Sequence, residues 1–191
     1  GDFITVVSGL PRSGTSLMMQ MLAAGGIPPL TDHQRLADES NPRGYFEFDA
    51  VKRLRSDQSW LEQARGHALK IIHLLLRELP TDRGFEYRVV FMRRPLAEVL
   101  ASQRAMLERA GKTAADDAVL AKAFAAQIEQ AREWLAAAPG VSVLHLEHHD
   151  LFENSSAAAD RVNAFLGGNL NVAAMLPVID PALYRQRRRE N

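Results

Sequence analysis

A short β-branched run that breaks into a glycine-framed loop constrains this chain more than any other feature. Phe3-Ile4-Thr5-Val6-Val7-Ser8 is followed at once by Gly9-Leu10-Pro11-Arg12-Ser13-Gly14-Thr15-Ser16. Helix formers then run from Thr15 to Ala24, and Gly25-Gly26 stop them. A continuous apolar run ending at Gly reads as a buried strand. With Gly at about 7% of residues, a pair of glycines at this spacing arises by chance about once in a chain of this size. Context gives the pair its meaning: it follows a buried strand, opens a helix and precedes two hydroxyl residues. Glycine lets the backbone approach a ligand closely, and successive N–H groups at a helix N-terminus favour an anion. A plain strand-to-helix turn is the alternative. Where the nucleoside-triphosphate form of such a loop carries Lys after its second Gly, this chain has Thr15, and the cation has moved into the loop as Arg12. Arginine presents a planar, permanently charged fork suited to oxyanions.

The rest of the chain repeats strand and helix in alternation. His67–Ile72, Arg88–Met92 and Val141–Leu146 read as strands. Helices are expected from Pro95 to Gly111, from Asp116 to Ala138 and from Ala157 to Leu166, the last stopped by Gly167-Gly168. Residues 27–48, rich in Pro, Asp, Asn and Gly, read as a long loop of the kind that is usually functional. Ala50–Arg65 carries Val51, Leu54, Trp60 and Leu61 among many charges and reads as a surface helix. Strands separated by helices imply an α/β fold of three layers, with a mostly parallel central sheet covered on both faces. At 191 residues a single domain is expected. In such sheets ligands sit beyond the carboxyl ends of the strands, so the turns after Ser8, Ile72, Met92 and Leu146 are where chemistry is sought.

The run Pro11-Arg12-Ser13-Gly14-Thr15-Ser16-Leu17-Met18, continuing to Met21-Leu22, resembles the phosphosulfate loop of sulfotransferases that use 3′-phosphoadenosine 5′-phosphosulfate (PAPS). It is particularly similar to the tyrosylprotein branch and to bacterial sulfotransferase-family proteins. A second element agrees with the first. The family's strand ending in Arg, with Ser eight residues on, is matched by Arg94 and Ser102 after Val89-Val90-Phe91-Met92, with Arg93 one residue out of register. The resemblance implies a P-loop nucleoside triphosphate hydrolase-like fold. It assigns Pro11, Arg12, Ser13, Gly14, Thr15 and Ser16 to the phosphosulfate, and Arg94 and Ser102 to the 3′-phosphate. It also implies an acceptor-side insertion over residues 27–66, PAPS as co-substrate and no required metal. The acceptor would be a small-molecule or peptide hydroxyl, or an amine.

Sulfuryl transfer needs an in-line acceptor oxygen, charge stabilisation on the departing side and a base for the acceptor proton. Laid on the tyrosylprotein branch, Asp32-His33-Gln34-Arg35 falls on the stretch that contains the catalytic Glu, so Asp32 and His33 are both candidates for the base. The cytosolic branch has Lys-x-His at the end of its second strand. Here Lys70 is kept as a candidate active-site cation, and His73 stands one residue late. Asn41-Pro42-Arg43-Gly44-Tyr45-Phe46-Glu47 reads as the edge of an acceptor pocket or as a packed loop, with Arg43 and Glu47 the residues of interest.

Composition narrows the remaining classes. A 47% hydrophobic and 24% charged chain is globular rather than disordered. Lys and Arg number 23 against 23 Asp and Glu, which argues against nucleic acid or a membrane surface as partner. The chain has no Cys, which removes disulfides, thiolate metal sites and cysteine nucleophiles. His145-Leu146-Glu147-His148-His149-Asp150 is dense in metal-type ligands but reads better as a polar strand-to-helix turn. The arginine run Arg185–Arg189 reads as a solvated tail or as a lid over the nucleotide. No apolar run reaches the ~18–20 residues needed to span a bilayer, and a strand beginning at Phe3 leaves no room for a signal peptide, so a cytoplasmic protein is expected. A P-loop kinase using ATP is the rival enzyme class, against which Thr15 in the Lys position and the lack of a metal-holding Asp both count. A silent nucleotide-binding module is the third reading.

Overall fold

The computed structural model describes residues 2–32, 44–113 and 116–183. Its centre is a four-stranded sheet in the order β2-β1-β3-β4, built from β1 (Ile4–Gly9), β2 (Ala68–Lys70), β3 (Tyr87–Arg93) and β4 (Val141–Glu147). Every pairing is parallel; Val7 lies beside Lys70 on one side and beside Val90 on the other. Among the described residues six α-helices surround it: α1 (Thr15–Ala24), α2 (Leu96–Arg109), α3 (Asp117–Ala137), α4 (Asp150–Glu153), α5 (Ser155–Phe165) and α6 (Val172–Met175). The expected three-layer α/β architecture is present. Among the described residues no helix is long and apolar enough to cross a membrane.

The two faces of the sheet follow from side-chain alternation along each strand. Ile4, Val6, Val89 and Phe91 point into one core, where they meet Leu61, Leu76 and Leu135. Val7, Val90 and Met92 point into the other, against Met18, Met19, Met21 and Leu22 of α1 and Ala158, Ala159 and Val162 of α5. All six residues of β1 are buried. A central parallel strand must be apolar on both faces, and this one is. A third cluster joins α2 to α3 through Val99, Leu100 and Phe124 and reaches Leu10 of the loop after β1. The Asp116 carboxylate caps α3 by accepting from the Ala118 and Val119 N–H groups at 2.9 and 3.2 Å.

One expected element is absent. Ala50–Arg65 is not a helix but two 3₁₀ turns, Asp49–Arg53 and Leu61–Ala64, with charged residues exposed on one side and apolar ones buried on the other. Leu54, Leu61 and Ala64 are fully buried in the first core. The break has a local cause. The Asp57 carboxylate accepts from the Ser59 N–H at 3.0 Å and the Ser59 hydroxyl at 2.7 Å, while the Trp60 indole donates to the Asp57 carbonyl at 3.0 Å. Such side-chain bonds compete with helical ones. The second strand is also shorter than its apolar run, because a 3₁₀ turn begins at His73 and continues to Glu78.

Because this segment carries core, Leu61→Ala is expected to lower unfolding free energy by about 2–5 kcal/mol. Urea denaturation checks this; a change within about 0.5 kcal/mol is what a solvent-facing helix position would give.

Candidate active site

The loop between β1 and α1 owes its shape to close approaches that only particular residues allow. Gly9 has φ 152°, and a Cβ there would stand 2.6 Å from the Met92 carbonyl oxygen and 2.5 Å from Ser13 Oγ. Ser13 is buried and folds back, its hydroxyl donating to the Leu10 carbonyl at 2.7 Å. Gly14 occupies the left-handed region at φ 96° as the N-cap of α1. A Cβ on it would meet His148 Cδ2 at 2.6 Å. Beyond Gly14 the first-turn N–H groups of α1 lack intrahelical acceptors, and Thr15, Ser16 and Leu17 line a cavity of about 420 Å³.

Each strand contributes to that cavity from its carboxyl end: Gly9 from β1, Lys70 from β2, Arg94 just past β3 and His148 just past β4. This is where a parallel sheet is expected to bind. Lys70 Nζ donates to Ser16 Oγ at 3.1 Å and to the Tyr45 carbonyl at 2.7 Å. Arg12 Nε donates to Ser102 Oγ at 3.0 Å, joining the loop to α2. The two adjacent arginines differ in burial. Arg94 is 7% exposed, while Arg93 is 57% exposed and pairs with Glu147 at 3.2 Å on the outside of the site. Arg94 Nε donates to Glu98 Oε2 at 3.0 Å, and a terminal nitrogen donates to the Arg12 carbonyl at 2.9 Å. Pro11, Arg12, Gly14, Thr15, Ser16, Lys70, Arg94 and Ser102 therefore share one cavity wall. Ser13 supports that wall from beneath.

A further wall comes from residues 45–52, with Tyr45, Glu47, Phe48 and Val51 lining the cavity beside Ile72 and Leu75. Asp32 stands behind this wall rather than in it: its Oδ2 accepts the Asp49 N–H at 2.6 Å. The neighbouring Thr31 hydroxyl donates to the Glu47 carbonyl at 2.8 Å. His33 and Arg43, like Arg185–Arg189, lie outside the described residues. His73 lies in a separate cleft against α3, its Nε2 2.8 Å from Gln127 Oε1. The dense ligand run disperses: His145 packs edge-on against Phe91, His149 faces Asp150, and His148 enters the cavity wall.

His148 is the site residue that the sequence reading missed as such. It is buried, its N–H donates to the Arg93 carbonyl at 2.7 Å, and its ring lies 5.1 Å from that of Phe152. Burial first, then the charges of Arg94 and His149, push its pKa down to about 3. A neutral imidazole thus sits beneath the N-terminus of α1, where an imidazolium would oppose both the helix dipole and Arg94. The only sequence signal for it was its position, two residues past the last apolar residue of β4.

The sequence matches no protein-family model and no curated protein. Solved structures do match. The sulfotransferase domain of the Synechococcus PCC 7002 olefin synthase aligns with a TM-score of 0.60 at 15% identity, covering 95% of this chain and 78% of that one. The sulfotransferase domain of the curacin biosynthetic pathway gives 0.54 at 14% identity over 99% of this chain and 80% of its own. A sulfotransferase from Alicyclobacillus acidocaldarius gives 0.53 at 14% identity over 96% and 88%. The chain has the fold of sulfotransferase domains.

The depressed pKa of His148 has a signed consequence. Between about 3 in the folded state and about 6.5 unfolded, the unfolded chain binds a proton that the folded one does not. Stability held above pH 6.5 is therefore lost as pH falls, by about 2 kcal/mol between pH 6.5 and pH 5. Urea midpoints at the two pH values are expected to show this loss in the wild type and a flatter dependence in His148→Gln. Equal slopes would refute it.

Proposed function

We propose that the protein is a PAPS-dependent sulfotransferase that moves a sulfuryl group to a hydroxyl or amine acceptor. The observation that carries this reading is the convergence of the loop amides, Arg12, Lys70, Arg94 and Ser102 on one cavity at the carboxyl edge of the sheet. The co-substrate would supply an activated sulfuryl group on a phosphate leaving group. In this reading the N–H groups of Thr15 and Ser16 and the guanidinium of Arg12 hold the phosphosulfate. Ser102 and Arg94 take the 3′-phosphate, and the Arg12–Ser102 bond ties the two anion positions together. Lys70, set against Ser16, places a positive charge where negative charge grows as the sulfur–oxygen bond to phosphate breaks. Donors fixed before binding need little reorganisation in the transition state. The acceptor would enter along the 45–52 wall and Leu75.

An ATP-using enzyme with this architecture needs a Lys at position 15 and an acidic residue for the metal; the loop has Thr15 there, with Arg12 as its cation.

Calorimetry with adenosine 3′,5′-bisphosphate against ATP–Mg²⁺ tests the reading, the bisphosphate being expected to bind and ATP–Mg²⁺ to bind weakly or not at all. Arg12→Ala is expected to weaken bisphosphate binding roughly 10- to 100-fold, the size of one lost charge-assisted contact. Preferential binding of ATP–Mg²⁺ would sink the proposal.

A further inference from the structure

Among the described residues two that are not glycine hold a left-handed backbone, Arg12 at φ 68° and Phe46 at φ 53°. Arg12 belongs to the anion loop. Phe46 has no short polar side chain to ease such a conformation, which is unfavourable for a bulky residue. It persists because its surroundings hold it. The Tyr45 carbonyl accepts from Lys70 at 2.7 Å, the Glu47 carbonyl accepts from Thr31 at 2.8 Å, and the Asp49 N–H is held by Asp32 at 2.6 Å. The Phe46 ring meanwhile packs against the core that α1 and α5 share. The consequence is that Tyr45 and Glu47, on either side of the strained residue, both line the cavity.

A carboxylate on that wall works against the rest of the site. Every other feature of the cavity floor favours anions, and a negative charge facing a bound bisphosphate would repel it. Holding such a group in place through a strained backbone needs another reason. Acceptor chemistry supplies one. Glu47 lines the cavity with Phe48, Val51, Ile72 and Leu75, and Lys70 reaches both this segment, through the Tyr45 carbonyl, and the loop helix, through Ser16. Among the described residues the other candidates for a base are elsewhere. Asp32 is committed to the Asp49 N–H, His73 lies in a different cleft, and His148 sits beneath Gly14.

We propose that Glu47 is the general base of the transfer, taking the proton of the acceptor hydroxyl as that oxygen bonds to sulfur. The sulfur–oxygen bond to the 5′-phosphate breaks in the same step. Its electron pair leaves on the phosphate oxygen, and the proton remains on the Glu47 carboxyl until solvent removes it. This inference rests on the sulfotransferase reading, and it makes Asp32 a positioning residue that holds the wall from behind.

The experiment follows labelled sulfate from PAPS to water, simple aliphatic alcohols, phenol and 4-nitrophenol in wild type, Glu47→Gln and Glu47→Asp. Bisphosphate affinity is measured on the same preparations as a check on folding. Glu47→Gln is expected to lower turnover roughly 10²- to 10⁴-fold on acceptors that must lose a proton, and less on 4-nitrophenolate, which is already ionised. Bisphosphate affinity should hold or rise, since a repelling charge is removed, and Glu47→Asp should recover part of the rate. A Glu47→Gln enzyme that turns over within a few-fold of wild type overturns the assignment. So does an equal loss on every acceptor, or a loss of bisphosphate affinity. Wild type that binds the bisphosphate yet transfers to none of these acceptors also removes Glu47 from this role, while the nucleotide reading stands. Wild type that does not bind the bisphosphate removes both.

Discussion

The geometry of the site depends on one buried cation. Arg94, at the end of β3, spans two obligations: its Nε holds the Glu98 carboxylate one turn into α2, and a terminal nitrogen holds the carbonyl of Arg12. A buried ion pair is costly unless further hydrogen bonds satisfy the charges, and the Arg12 carbonyl supplies one. That bond fixes the peptide of the residue that must stand in the left-handed region for the loop to close. Arg12 in turn reaches Ser102 on the same helix. The loop after one strand and the helix after another become a single unit, and the donors at the cavity are held in place by the fold. Organisation of this kind removes part of the entropic cost of binding.

This arrangement explains how a chain of zero net charge holds a basic site. Glu98 neutralises Arg94 from the side away from the cavity, and Lys70 is held between Ser16 and a carbonyl rather than against an acid in those contacts. His148 adds no charge, although it is a histidine at the cavity wall, because burial and Arg94 keep it neutral. Acids such as Asp49 and Glu129 pair with exposed cations at the surface, where such pairs contribute little.

What could be read from the sequence was what the chain places close together along itself. The strand, loop and helix from Phe3 to Ala24 are contiguous, and Arg94 stands just before the helix that carries Ser102, so spacing alone placed both near the loop. The 45–52 wall was not legible in the same way. Its apolar residues lack a clean period because Asp57 and Ser59 break the helix they would otherwise form. Asp32 could be placed near the site but not behind its wall, since that depends on where Asp49 falls in space. His148 was hidden by its neighbours: four of the six residues from His145 to Asp150 carry metal-type side chains besides it, and only tertiary packing shows which ring turns inward.

Strand order separates the two sides of the cavity. From β1 the sheet continues to β2 on one side and to β3 on the other, so the loop after β1 stands where the chain's direction of winding changes. The β3 side supplies Arg94 and, through α2, Ser102, all within one short stretch of chain. The β2 side supplies Lys70 and the 45–52 wall, which is held by Thr31, Asp32 and Lys70 rather than by the anion loop's own backbone. The link between the sides is the Lys70–Ser16 contact. Substitutions in the Phe48, Val51 and Leu75 wall can therefore reshape that side of the cavity while Arg12, Arg94 and Ser102 keep their geometry. In the proposed reading, a nucleotide cradle fixed by β3 and α2 is matched to an acceptor surface free to vary on the β2 side.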